Sequence, residues 1–140
     1  NVLVYAHDTS AGEKRAIAAE LVGRLLADGT GCLSVQVLME LAATLTRKIP
    51  KPLEPAAAAE IVRDFSTWRV FEPGAKDVVA ALAIAGRHRL SFWDSMIIRA
   101  ASSLAVDVLW SEDLADGRVY EGVTGRNPFA RPTRARPRKG

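Results

Sequence analysis

Leu90-Ser91-Phe92-Trp93-Asp94-Ser95-Met96-Ile97-Ile98-Arg99-Ala100-Ala101 is the segment that the rest of the chain is built to support. It reads as a buried helix opening on a carboxylate. Ser91 is a good N-cap and Ser91-x-x-Asp94 has the spacing of a capping box, so the helix is expected to begin within a residue of Phe92. On a helical period Ile97, Ile98 and Ala101 follow Asp94 at i+3, i+4 and i+7, which places the carboxylate on a face with apolar groups. An ionised group there needs a partner. Two partners suit it: the unpaired amides and positive dipole end of its own helix, or a metal ion.

Upstream of this helix the chain alternates strands with helices. Val2 to Tyr5 is apolar and β-prone, and on local propensity alone it is a short strand. Ala11 to Asp28 carries a helical stripe, with Asp8, Thr9 or Ser10 available as caps and Gly29 as a stop. Cys32 to Val35 predicts a strand leading into a helix from Val37 to Lys48 on a stripe of Leu38, Leu41, Ala42, Leu45 and Ile49. Pro55 suits the first position of a helix through Ala56 to Trp68. Arg69 to Glu72 predicts a strand, and Ala75 to His88 a helix. Beyond Ala105, Asp107 to Trp110 predicts a strand running into Ser111-Glu112-Asp113, with a last short strand near Val123-Thr124. This alternation predicts an α/β fold with a parallel sheet covered on both faces.

The chain has 140 residues, of which 49% are hydrophobic, enough for one domain with one core. No apolar run is long enough for a membrane span and no secretory signal opens the sequence, so the expected location is the cytoplasm. Cys32 has no internal disulfide partner, and with only His7 and His88 it makes no zinc set. Oxygen ligands, and hence magnesium or manganese, remain. The net charge of +3 is unevenly placed. Five of the 19 basic residues, Arg131, Arg134, Arg136, Arg138 and Lys139, lie in the last ten positions, leaving 14 against 16 acidic groups elsewhere. Pro132 and Pro137, with Pro128 just upstream, argue against regular structure, so residues 131–140 are expected to form a flexible basic tail able to attract RNA weakly, and residues 1–130 the folded domain.

Ligands of an open α/β sheet collect beyond the carboxyl ends of its strands. Asp113 lies just past the strand ending at Trp110, where a turn-stabilising role is equally natural for Asp. Glu40 shares its helical face with Gln36, Thr44 and Arg47, the pattern of an ordinary solvated face.

In order along the chain, Asn1-Val2-Leu3-Val4-Tyr5, Gln36-Val37-Leu38-Met39-Glu40, Ser91-Phe92-Trp93-Asp94, Trp110-Ser111-Glu112-Asp113-Leu114 and Asn127-Pro128-Phe129 resemble the PIN-domain family, and within it the VapC-type toxins. The resemblance runs over nearly all of residues 1 to 129. It implies a PIN-like three-layer sandwich, a central parallel sheet flanked by helices. It also implies a magnesium-dependent endoribonuclease, with an antitoxin protein as partner and a homodimer as the unit. Glu40, Asp94 and Asp113 would be the catalytic and metal-binding acids, with Asn1 and Ser111 as supporting polar groups; Glu112, one residue early, does not match. Members of the family carry a further Asp two residues before the Asn that matches Asn1, at the end of a first, central strand. The expectation is therefore an apolar β-prone run ending Asp-x ahead of Asn1, without which the sheet would stand as two halves. The resemblance also makes the segment matching Asn1 to His7 the opening of a helix, against the local strand reading.

The chemistry agrees. Phosphodiester hydrolysis needs an activated water and charge stabilisation at the phosphate, which a carboxylate-held magnesium supplies. Carboxylates crowded in one pocket repel each other unless a cation joins them. There is no Gly-x-Ser-x-Gly elbow and no phosphate-binding loop, and His7 and His88 have no evident partners in the sequence. Two further readings stand beside the nuclease: a catalytically incomplete protein of the same fold that binds RNA or an antitoxin, and a phospho-acceptor signalling domain. The last expects a Lys near the end of the final strand, and none occurs from Asp77 to Arg138.

Overall fold

The computed structural model describes residues 1–131. All of the expected tail except Arg131, which is exposed, lies outside the described residues. Six helices, α1 (Val2–His7), α2 (Glu13–Asp28), α3 (Val35–Arg47), α4 (Pro55–Phe65), α5 (Ala75–His88) and α6 (Phe92–Ser103), alternate with strands β1 (Cys32–Ser34), β2 (Arg69–Phe71), β3 (Val108–Trp110), β4 (Val119–Tyr120) and β5 (Val123–Arg126). The α/β reading holds.

Val2 to Tyr5 is helix, not strand. Asn1 caps it, its Oδ1 accepting from Leu3 N at 3.0 Å, and Leu3 is buried against Leu41 and Leu45. A cap and a tertiary partner for Leu3 outweigh the β propensity of Val-Leu-Val-Tyr. Helix α2 begins at Gly12 without a side-chain cap. Of the three expected caps, Asp8 instead accepts from the backbone and hydroxyl of Ser10, closing the turn between the first two helices. Gly29 ends α2 in the left-handed region, as expected. Two residues on, Gly31 lies under the Trp68 ring, where a Cβ would come within 2.3 Å of ring carbon.

The sheet is divided. Strand β1 pairs in parallel with β2, and β3 in parallel with β5, while β4, invisible in the sequence reading, adds an antiparallel edge to β5. No described strand joins the halves. The core is divided with it. One cluster holds Leu3, Leu41, Leu45 and Ala58; the other holds Ile84, Ile98, Leu114 and Tyr120. Helix α6 packs on both β1 and β3 and so ties the halves together.

Helices α5 and α6 are joined by a buried carboxylate. Gly74 N donates to Asp77 Oδ2 at 2.8 Å and Arg99 Nε to Oδ1 at 2.9 Å. The Gly74 hydrogen bond, opposed by burial and aided by Arg99, holds the Asp77 carboxyl below its usual range. A depressed folded value means that the stabilisation is present above the ordinary Asp range and is lost as pH falls through the folded value. Asp77→Asn should therefore destabilise the chain at neutral pH and flatten the acid limb of its stability curve. Urea midpoints at a series of pH values check this; parallel curves for the two proteins would refute it.

Candidate active site

Three elements deliver acids to one cavity. Ser34 ends β1 and caps α3, its Oγ accepting from Val37 N at 3.3 Å, so that Gln36 and Glu40 follow one helical turn apart. Strand β3 ends at Trp110 and runs into Ser111, Glu112 and Asp113. The first turn of α6 adds Trp93 and Asp94. All of these residues, with Asn1 and Tyr5, line a cavity of about 750 Å³. Its inner wall is apolar, with Val22 and Leu25 of α2, Leu33 of β1, Ile97 of α6, Leu104 just past the end of α6, and Leu109 of β3.

The acids differ in what already holds them. Ser91 Oγ accepts from Asp94 N at 3.1 Å, but among the described residues nothing donates to the Asp94 carboxylate. Only half of the expected capping box forms, and the carboxylate is not spent on its own helix end. Asp113 is similar: its backbone N–H donates to Ser111 Oγ at 3.1 Å, and its side chain is exposed. Glu40 is exposed and accepts from Gln36 Nε2 at 3.3 Å. Glu112 is fully engaged. Lys14 Nζ donates to its Oε2 at 2.8 Å and the Tyr5 hydroxyl to its Oε1. Burial opposes ionisation of Glu112, yet Lys14 and Tyr5 hold its carboxyl below the usual range. The same contact pushes the Tyr5 hydroxyl up.

The family model described as PIN domain matches residues 1–120. The chain belongs to the PIN-domain family. No match was found among curated proteins. PIN domains are generally nucleases that act on RNA or other nucleic acids and use divalent metals, so membership supports a hydrolase.

This PIN domain brings Glu40, Asp94, Asp113, Asn1 and Ser111 to one cavity, but it does not draw the acids into a single cage. Among the described residues, no three His, Cys, Asp or Glu side chains stand close enough to share an ion. The donors fit a hard cation in kind, all of them carboxylate oxygens. Glu40 and Asp113 are both exposed, so rotamer changes alone can move their carboxylates. Asn1 serves the scaffold as well as the cavity, its Nδ2 donating to Val37 O at 3.1 Å and so tying α1 to α3.

Four residues around the site were not legible as such. Gln36, expected on a solvated face, is buried, and its Nε2 also lies 3.3 Å from Trp93 O. It thereby bridges α3 to the turn that carries Asp94. Tyr5, Lys14 and Phe129 form the clamp on Glu112, with Lys14 Nζ 4.9 Å and 5.1 Å from the two ring centroids. No spacing rule connects residues 5, 14, 112 and 129. The histidines do have partners, both structural: His7 Nδ1 lies 2.8 Å from Leu3 O, and His88 Nε2 3.0 Å from Glu121 Oε1.

Proposed function

We propose that this PIN domain is a magnesium-dependent endoribonuclease of the VapC toxin type, silenced by a cognate antitoxin protein, acting as a homodimer in the cytoplasm. The observation that carries the nuclease reading is the Asp94 carboxylate: it lies in the first turn of α6, lines the cavity that Glu40 and Asp113 also line, and is not consumed by its own helix. Glu40, Asp94 and Asp113 would hold the metal, magnesium or alternatively manganese, and Asn1 and Ser111 would fix the backbone around them. Bound there, the metal would supply an activated water and charge stabilisation at the phosphate. Gln36 orients Glu40, and Lys14 keeps Glu112 out of the ligand set by neutralising it. The toxin role, antitoxin and homodimer rest on the sequence resemblance. No described helix is long and apolar enough to cross a membrane.

Cleavage of an RNA oligonucleotide with magnesium, abolished by chelation and restored by re-addition, tests the enzyme. The separated acids favour one second reading, a catalytically incomplete PIN domain that binds RNA or an antitoxin. RNA binding without magnesium-dependent cleavage would select it.

The tail gives a separate expectation. Deleting residues 131–140 removes five positive charges. RNA association should weaken and its dependence on salt should become shallower, with single-turnover cleavage nearly unchanged, because tail charge attracts phosphate without positioning the metal. Binding titrations at several salt concentrations check this, and identical slopes would show the tail to be a bystander.

A further inference from the structure

Trp93 is the aromatic side chain most at odds with its surroundings. Tryptophan is highly buried on average, yet Trp93 is 64% exposed beside a largely apolar cavity, while Met96, Ile98, Ala100 and Ala101 of the same helix are buried. It is nevertheless firmly placed. Phe92 meets its ring edge to face at a centroid distance of 5.1 Å, and the buried Gln36 amide sits 3.3 Å from its carbonyl oxygen. That amide also holds Glu40, so Trp93 hangs on the same bridge that links the Glu40 helix to the Asp94 turn.

The charge around it poses a problem for any nucleic acid. Glu40, Asp94, Asp107, Glu112 and Asp113 line the cavity, and Arg69 is the one basic side chain that does so among the described residues, its guanidinium donating to Leu104 O at 3.1 Å. A polyanion is repelled by such a mouth until a cation enters. Stacking on an aromatic face needs no charge, and it is the usual way in which single strands are gripped.

We propose that Trp93 is a substrate-positioning platform that stacks one unpaired base of RNA beside the phosphate to be cut at Asp94. This rests on the nuclease reading and adds the residue that positions the strand. The RNA is taken as a single strand or loop, because the bases of a duplex are already stacked on each other. The ring sets where the strand lies, and the acids do the chemistry.

The test compares wild type, Trp93→Phe and Trp93→Ala on a single-stranded RNA oligonucleotide and on the same sequence in duplex form. Circular dichroism verifies the fold of each variant. Trp93→Ala should raise KM about tenfold with kcat changed less than about twofold, and Trp93→Phe should recover most of the loss. Wild type should prefer the single strand. A second measurement is independent of cleavage: with magnesium present and emission read before turnover, the oligonucleotide should quench wild-type tryptophan emission more than that of Trp93→Phe, which retains Trp68 and Trp110. If wild type cleaves nothing but this difference in quenching remains, the nuclease reading fails and the stacking platform stands. Unchanged KM together with equal quenching overturns the platform and leaves the nuclease reading intact. Altered self-association in Trp93→Ala with unchanged RNA binding also overturns it, assigning the ring to a protein contact.

Discussion

Replacing Asp94 by Asn should leave the protein folded and remove its metal-dependent RNA cleavage. The hydrogen bond that starts α6 runs from the backbone of Asp94 to Ser91 Oγ and does not involve the carboxylate. An amide of the same shape therefore preserves the helix start, at a cost of about 0.5 kcal/mol for the lost negative charge at the helix N-terminus. Catalysis is different. A neutral amide is a weak ligand for a hard cation and cannot offset its charge, so the rate should fall on the order of a thousandfold. Cleavage rates and thermal melts on the same preparations check both halves. Glu54→Gln is the control, since Glu54 is exposed at the start of α4 and makes no side-chain cap. Ordinary cleavage by folded Asp94→Asn would remove the assignment.

Supplying a strand between the two half-sheets should stabilise the fold more than any single substitution. Strands β1 and β3 both line the 750 Å³ cavity, which is walled by half-buried Val22, Leu25, Leu33, Ile97, Leu104 and Leu109, and Asn1 stands at its edge. Parallel strands are ordinarily buried on both faces, and none of the three residues of β2 or β3 is. A five-residue apolar run joined ahead of Asn1 and ending Asp-x would reach ~17 Å, long enough to pair along both edges. Burying its side chains at about 2 kcal/mol each, against an ordering cost of ~1.5 kcal/mol per residue, leaves a net gain of about 2.5 kcal/mol. That corresponds to a rise in Tm of about 10 °C for a domain of this size. The same run with Pro at its centre loses ladder hydrogen bonds and should give little. Equal melting of the two extended proteins would show that the cavity does not accept a strand. The Asp at the end of the run would add a further carboxylate at the mouth, which is what the family resemblance expects there.

Where the chain makes its own turns and caps, the sequence could be read closely. The Ala75–His88 helix was placed at its ends to the residue, and Ser91 and Pro55 stand where capping chemistry puts them. Local signals failed where a distant partner decided the outcome. Val2 to Tyr5 looked like a strand until Leu3 found Leu41 and Leu45, and Gln36 looked solvated until α6 covered it. Strand β4 is two residues long, and its existence depends on pairing with β5 across a turn at Glu121 and Gly122, both at positive φ.

The sequence by itself determined the α/β alternation, the family, and the places of Asp94 in the first turn of α6 and Asp113 just past β3, because periodicity, capping and motif spacing are local properties carried by neighbouring residues. Only the tertiary structure decided how those acids are held. Glu112 and Asp113 are adjacent in the chain, but Lys14 and Tyr5 clamp the first and leave the second exposed. The choice between them is an electrostatic one made by residues about a hundred positions away, and contacts of that range exist only once the helices have packed.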